Sequence, residues 1–257
     1  IKYGHMGWNV SECCNGEGSR NGVAILVKYT GTGFTDVKFV YADVHSDCWE
    51  WEDDKRGTKG RVMAVSFKQG PKLYVVGNFY APSNSNREEK ASFFEHYSNI
   101  LQEYKEDNLI LAGDWNTVED PERDIIRNDA KDEQWYSSHK PIPEFMVFLV
   151  NHGVVDSYIM HEIESGNADD ADESNRQHTF EHKNGTYWAR LDRFYHSRLI
   201  DGRIEMVGFP CERLSDHLPV CIEISNTEEL KRTKKEFGSE VVRLNLNVIK
   251  TNSVIER

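Results

Sequence analysis

The chain has 257 residues, with 31 Lys and Arg against 43 Asp and Glu and a net charge of -12. That length suits one large α/β domain with a substantial core, and the acidic balance excludes broad electrostatic capture of nucleic acid, which relies on lysine and arginine displacing condensed counterions. No apolar run approaches the roughly 18 residues of a membrane span, and five cysteines (Cys13, Cys14, Cys48, Cys211, Cys221) without zinc-type spacing fit a reduced intracellular setting.

In chain order, residues 22–28 and 37–44 read as strands joined by the turn Gly31-Thr32-Gly33, and residues 61–67 and 72–79 repeat that pattern around Gly70-Pro71. Two hairpins are expected. Phe93, Phe94, Tyr97, Ile100, Leu101 and Tyr104 recur at helical spacing within residues 86–106, which predicts an amphipathic helix covering a sheet. The run Leu109-Ile110-Leu111-Ala112 has the length of a buried strand. A polar stretch over residues 117–140 follows, and Pro143 opens a second helix carrying Phe145, Met146, Phe148, Leu149 and Val150. The acid concentrated in residues 162–173 and 50–54 reads as solvated loop. Residues 177–181, 187–196, 204–209 and 218–224 are further strands. Strands interleaved with helices, with hairpins among them, predict an α/β fold with a mixed sheet. Residues 1–226 are expected to form the domain. Residues 227–257 differ in kind, with the basic cluster Lys231-Arg232-Thr233-Lys234-Lys235 before Val241, Val242, Leu244 and Leu246. They read either as a linker into a following domain or as an edge strand.

Two motifs carry the chemistry. Gly113-Asp114-Trp115-Asn116 ends one strand, and Ser215-Asp216-His217-Leu218-Pro219 opens another. Side chains two apart on an extended chain share a face, so Asp114 and Asn116 are expected to enter one pocket. The segment Arg190-Leu191-Asp192-Arg193-Phe194 adds a carboxylate able to hold an imidazole in its charged, donor form, and Tyr80 stands where a strand breaks at Pro82. If Asp114, Asp192 and Asp216 converge, their mutual repulsion is roughly one to a few kcal/mol at an effective dielectric of about 20. Such a cluster wants a cation. Hard oxygen ligands suit Mg²⁺ or Mn²⁺, and the matching chemistry is attack of an activated water on phosphorus.

The order Tyr80-Ala81-Pro82, Gly113-Asp114-Trp115-Asn116-Thr117, His178-Thr179-Phe180, Arg190-Leu191-Asp192-Arg193-Phe194 and Ser215-Asp216-His217-Leu218-Pro219-Val220 resembles the endonuclease/exonuclease/phosphatase superfamily. The likeness runs from about Gly22 to Ile224 and is greatest to the apurinic-endonuclease-like domain of non-LTR (LINE-type) retrotransposons. It implies a DNase I-like four-layer α/β/β/α sandwich of two mixed β-sheets, with the site at one edge of the sheets. Family members also carry an initial strand with an asparagine and a second strand ending in a metal-binding glutamate. Residues 1–20 correspond to the segment after that glutamate, so the sequence reads as N-terminally truncated, either by being a piece of a longer chain or by being a decayed or repurposed element.

The resemblance further implies that Asp114 positions or deprotonates the attacking water and that Asn116 donates to the scissile phosphate. His217, oriented by Asp192, would bind that phosphate, Tyr80 would touch it from the opposite side, and Asp216 would sit beside the Mg²⁺ or Mn²⁺ ion. Thr179, Arg190 and Ser215 fall at positions that contact the DNA backbone or brace the site. The implied activity is nicking of DNA to leave a 3′-hydroxyl that primes reverse transcription, in the nucleus, with a reverse transcriptase domain in the same parent chain. Two alternatives stand beside it. One is a phosphoesterase acting on inositol phosphates or a sphingolipid, although the Trp-Cys-Asp-Arg signature of inositol phosphatases is missing around Asp192. The other is a catalytically inactive binding or scaffold module, supported by the missing glutamate and the net charge of -12. Loops over residues 120–140 and 182–186 are where sequence preference would be read.

Overall fold

The computed structural model describes residues 8–15, 22–28, 32–41, 61–83, 87–105, 107–127, 141–164, 178–182, 185, 187–200, 203–207, 215–225 and 242–246. Its centre is the hairpin of β4 (Val62–Gln69) and β5 (Lys72–Tyr80), paired antiparallel from Val62↔Phe79 to Gln69↔Lys72. Gly70, at φ 59, turns the chain between them, a left-handed conformation that glycine adopts without a side-chain penalty. With β3 (Phe34–Tyr41), β6 (Asn108–Asp114), β8 (Val154–Asp156) and β11 (Asp192–Ser197), the hairpin builds a six-stranded sheet in the order β3-β4-β5-β6-β11-β8. The sheet is mixed, because β5 and β6 run parallel while the other pairs are antiparallel. A parallel pair needs a crossover, and α1 (Arg87–Leu101) makes it, ending in a 3-10 turn at Gln102–Tyr104.

One face of this sheet is covered by α1 and α3 (Pro143–Asn151), which follows the single turn α2 (Pro121–Asp124). Phe93, Phe94, Tyr97 and Leu101 of α1 are buried as their spacing predicts, and Phe145, Phe148 and Leu149 meet them from α3, while Met146 and Val150 face outward. Phe79 is stacked on Trp115 at 4.9 Å and meets Tyr97 edge-on at 5.7 Å. Each such side chain stabilises the fold by about 1.5–3 kcal/mol through burial alone. Trp115 also donates its indole N–H to the Arg193 carbonyl at 3.1 Å, so its one polar atom is satisfied.

The other face meets a second layer of strands. Val23, Ile25 and Val27 of β2 (Gly22–Lys28) and Val220 and Ile222 of β13 (Val220–Ser225) pack with Met63, Val65, Val76, Ile110, Ala112 and Phe194. In that layer β2 pairs with β1 (Trp8–Asn15), and β13 lies between β12 (Arg203–Val207) and β14 (Val242–Leu246). The α4 helix (Ser157–Glu164) touches β11 of one layer and β12 of the other, closing the edge between them. A small sheet of β7 (Ile125–Arg127), β10 (Tyr187–Ala189) and β9 (Phe180–Glu181) stands beside the end of β11. The class is therefore α/β, with mixed pairing and flanking helices.

Several expectations need correction. The second predicted hairpin forms, but the first does not: β2 pairs with β1 while β3 joins β4, because the apolar stripe of β2 belongs to the core between the layers. The strand expected over residues 187–196 is two strands in different sheets, β10 and β11, broken where the Arg190 amide donates to the Asp124 carbonyl at 2.9 Å. The α4 helix reaches into the acidic run read as loop, its amides at Tyr158 and Ile159 capped by Asp156 Oδ1 at 2.9 and 3.3 Å. Within the tail, residues 242–246 form an edge strand on β13. The acidic residues 50–54 and 165–173, the loop residues 128–140 and the basic cluster 231–235 lie outside the described residues.

Candidate active site

Strand order brings the two acids together. Asp114 ends β6 and Asp192 begins β11, and antiparallel pairing sets them directly opposite each other, with Tyr80 of β5 beside Asp114 on its other side. The approach is close at Gly113, where φ is 142 and an added Cβ would fall 1.9 Å from the Phe79 carbonyl oxygen. Both carboxylates are buried. His217 arrives on a loop rather than a strand, held by an isolated bridge to Phe180 and by its ring packing on the Phe180 ring at 5.0 Å. Exposed Ser215 shapes that loop, its hydroxyl accepting from the His217 amide at 2.9 Å.

His217 Nδ1 lies 2.7 Å from Asp192 Oδ2. An ionised carboxylate only accepts, so Nδ1 carries the proton and Nε2 is turned toward Asp114 Oδ2 at 4.0 Å. That separation is too long for a direct hydrogen bond.

Asn116 reaches the site differently from the strand-face expectation. β6 stops at Asp114, and Asn116 sits in a turn at φ 46, its backbone amide donating to Asp114 Oδ1 at 3.0 Å. Its side-chain nitrogen donates to Asp114 Oδ2 at 3.1 Å and to the Ala81 carbonyl at 2.8 Å. Both amide protons are therefore committed, and Asn116 orients Asp114 in this geometry. Tyr80 is half-buried, with the Arg61 guanidinium 5.1 Å from its ring and Arg61 Nη1 donating to its carbonyl at 3.2 Å. Sequence reasoning missed Arg61 and also Lys90, whose Nζ donates to the Asn116 carbonyl at 2.7 Å. Burial lowers the pKa of both cations, and the nearby Asp114 charge opposes that shift in each.

Thr179 and Arg190 brace the site. The buried Thr179 hydroxyl accepts from the amides of Leu191 and Asp192 at 3.0 and 2.9 Å, and its carbonyl accepts from Leu218 at 2.6 Å, tying the Asp192 and His217 segments together. Arg190 is 5 % exposed, with Nη2 on Asp124 Oδ1 at 2.9 Å and Nη1 on Asp156 Oδ2 at 2.7 Å. Arg193 joins the same group through Asp124 Oδ2 at 3.1 Å. Burial raises the pKa of the Asp124 carboxyl, but the charges of Arg193 and Arg190 outweigh it and the net shift is well downward. The helix-start pattern at Asp156 and the Pro after Asp120 were the available signals for this cluster; the pairing itself spans up to 69 residues and leaves no local trace.

Asp114, Asp192 and His217 each offer a ligand atom within 4.8 Å of the others'. Two carboxylates and an imidazole form a donor set that fits a divalent cation retaining waters. Asp216, which the resemblance sets beside the metal, is outside that trio, and its backbone carbonyl accepts from the Glu181 amide at 3.0 Å.

No family model and no curated protein matches the sequence. Solved structures do match. A 3′-5′ exonuclease (NExo) from Neisseria meningitidis aligns at 20% identity and TM-score 0.56, over 86% of this chain and 81% of its own. An AP endonuclease from Archaeoglobus fulgidus aligns at 18% and 0.56, over 84% and 79%. The endonuclease domain of TRAS1, a telomere-specific non-LTR retrotransposon, aligns at 14% and 0.52, over 86% and 81%. At these identities the common element is the arrangement of strands and helices, and by that arrangement the chain has the endonuclease/exonuclease/phosphatase-like fold.

Proposed function

We propose that the chain is a metal-dependent phosphodiesterase that nicks DNA, of the kind carried by non-LTR retrotransposons. The observation that carries this reading is the trio of Asp114, Asp192 and His217 at the shared end of β6 and β11, with the imidazole fixed on Asp192 through Nδ1 and Nε2 4.0 Å from Asp114 Oδ2. The likeness of the fold to an exonuclease, an AP endonuclease and a retrotransposon endonuclease domain supports DNA as the substrate class. The order of the sequence motifs supports the retrotransposon kind, in which a nick in nuclear DNA is extended by a reverse transcriptase domain of the same parent chain.

In this mechanism Asp114 takes a proton from a water as the water oxygen attacks phosphorus. The P–O3′ bond breaks, the departing oxygen takes a proton from solvent to leave a 3′-hydroxyl and a 5′-phosphate, and Asp114 returns its proton to solvent. His217 Nε2 donates to the phosphate in this reading, and Asp192 compensates the positive charge that the imidazole then carries. Asn116 keeps both Asp114 oxygens in place. A Mg²⁺ or Mn²⁺ ion held by Asp114 and Asp192 would draw charge off the phosphate oxygens when bound.

The test is supercoiled-plasmid nicking with Mg²⁺ or with EDTA, using the chain, Asp114→Ala and His217→Ala. Nicking that needs the metal and is lost in both variants supports the proposal. Nicking that survives EDTA, or survives both substitutions, overturns it.

A further inference from the structure

Asn116 stands at φ 46, in the left-handed region that asparagine enters more readily than other residues with a side chain. Three contacts fix it here. Asp114 Oδ1 accepts from its amide, Ala81 accepts from its side chain, and Lys90 Nζ donates to its carbonyl at 2.7 Å. The first two come from segments already at the sheet edge. The third comes from the first turn of α1, in the helical layer. A lysine at the start of a surface helix ordinarily keeps its ammonium in water, and drawing it under cover costs free energy unless a partner takes it up. The lowered Lys90 pKa, caused by burial, is in keeping with that displacement.

We propose that Lys90 is a positioning residue for the nicking reaction: by pinning the Asn116 carbonyl it holds the turn whose amides orient both oxygens of Asp114. The inference rests on the nuclease reading for its catalytic consequence, but the pinning itself does not depend on that reading. Lys90 also ties α1 to the catalytic end of β6, so the helix that makes the β5–β6 crossover sets the aim of the strand it delivers.

The test compares wild type with Lys90→Met, Lys90→Gln and Lys90→Arg, first by amide NMR and then by nicking kinetics. In wild type and Lys90→Arg, the two Asn116 side-chain protons should give separate, exchange-protected signals. In Lys90→Met and Lys90→Gln that protection should be lost and the Thr117 amide should shift, since Thr117 follows the carbonyl that Lys90 holds. For nicking, removal of the ammonium should lower kcat by about tenfold to a hundredfold, the range expected for a displaced reacting group, with KM little changed and with rescue by Lys90→Arg. Asn116 and Thr117 signals in Lys90→Met that coincide with wild type would overturn the proposal, as would a rise in KM alone, which would make Lys90 a substrate contact. If no version nicks, the nuclease reading fails while the NMR result still decides the role of Lys90.

Discussion

Two charged clusters lie back to back along β11 and have opposite fates. Asp192 faces Asp114 and His217 at the edge of the sheet, whereas Arg190 and Arg193 turn into a sealed group with Asp124 and Asp156. Successive residues of a strand point to opposite faces, so Asp192 and Arg193 are neighbours in sequence and strangers in space. In the sealed group the guanidiniums of Arg190 and Arg193 meet Asp124 and Asp156, all 6 % exposed or less, and the half-buried Arg123 closes on Asp124 from the rim. Each charge of the group meets an opposite charge within the protein. In the trio two carboxylates share one imidazole, with Nε2 left 4.0 Å from Asp114. Buried charge matched by opposite charge organises the chain, and a trio whose carboxylates outnumber its imidazole is a donor set that can take up a cation.

The largest expected effect separates the clusters by activity. Asp114→Ala and His217→Ala should each lower nicking by about 10²–10⁴-fold, the usual contribution of a positioned proton-transfer group, while thermal unfolding followed by circular dichroism stays close to wild type. Unfolding of either variant at room temperature would make the trio structural and erase the contrast. Next in size, Asp124→Ala leaves the buried Arg190 and Arg193 guanidiniums with Asp156 as their one remaining carboxylate in the sealed group and should destabilise the fold by about 3–5 kcal/mol, measured by urea denaturation. A stable but inactive Asp124→Ala protein would move the sealed cluster into the site. A third comparison uses metal alone: Mn²⁺ at a hundredfold excess over its Kd should stabilise the native state by about 2.7 kcal/mol. That gain should vanish in Asp114→Asn and persist in Lys68→Ala, a change at an exposed pair with Asp36 remote from either cluster.

The smallest effect is the acid limb of stability. Burial holds His96 and His196 down to about 4 from 6.5, with the Asp156 charge opposing the shift at His196. A histidine whose pKa is depressed on folding is protonated first in the unfolded chain, so its contribution is fully present above pH 6.5 and is lost as pH falls toward 4. His196→Gln should flatten the slope of stability against pH in that window, and an unchanged slope would remove His196 from it. Asp124 acts lower down, since its carboxyl is depressed below the ordinary 3.8 and its contribution fades only as pH falls beneath that value.

Much of the trio was legible because each member sits in a short motif at a strand end, where a run such as Leu109 to Ala112 announces what precedes Asp114. The sealed cluster was not legible. Asp124 and Arg193 are 69 residues apart and meet only because β7 and β10 fold beside β11. The same long-range pull broke the continuous strand expected over residues 187–196, since a buried ion network outweighs the local β-preference of a few residues. Asn116 was placed in the right pocket by the wrong geometry, because strand alternation was extended past Asp114 into a turn. Lys90 was invisible for a simpler reason: in a sequence, a lysine beside Glu88 and Glu89 at a helix start reads as solvated surface.

Gly113 carries no reactive atom, yet it restricts what can stand in the site more tightly than any acid beside it. An acid can be exchanged for its amide and leave the chain folded. At Gly113 the space for a side chain is already filled by the backbone of the neighbouring strand. In a library of random substitutions across this motif, position 113 should return a single letter even among clones selected only for solubility, while position 114 should tolerate many letters until activity is demanded. A scan that sorts folding from function would thus see the spacer before it sees the chemistry.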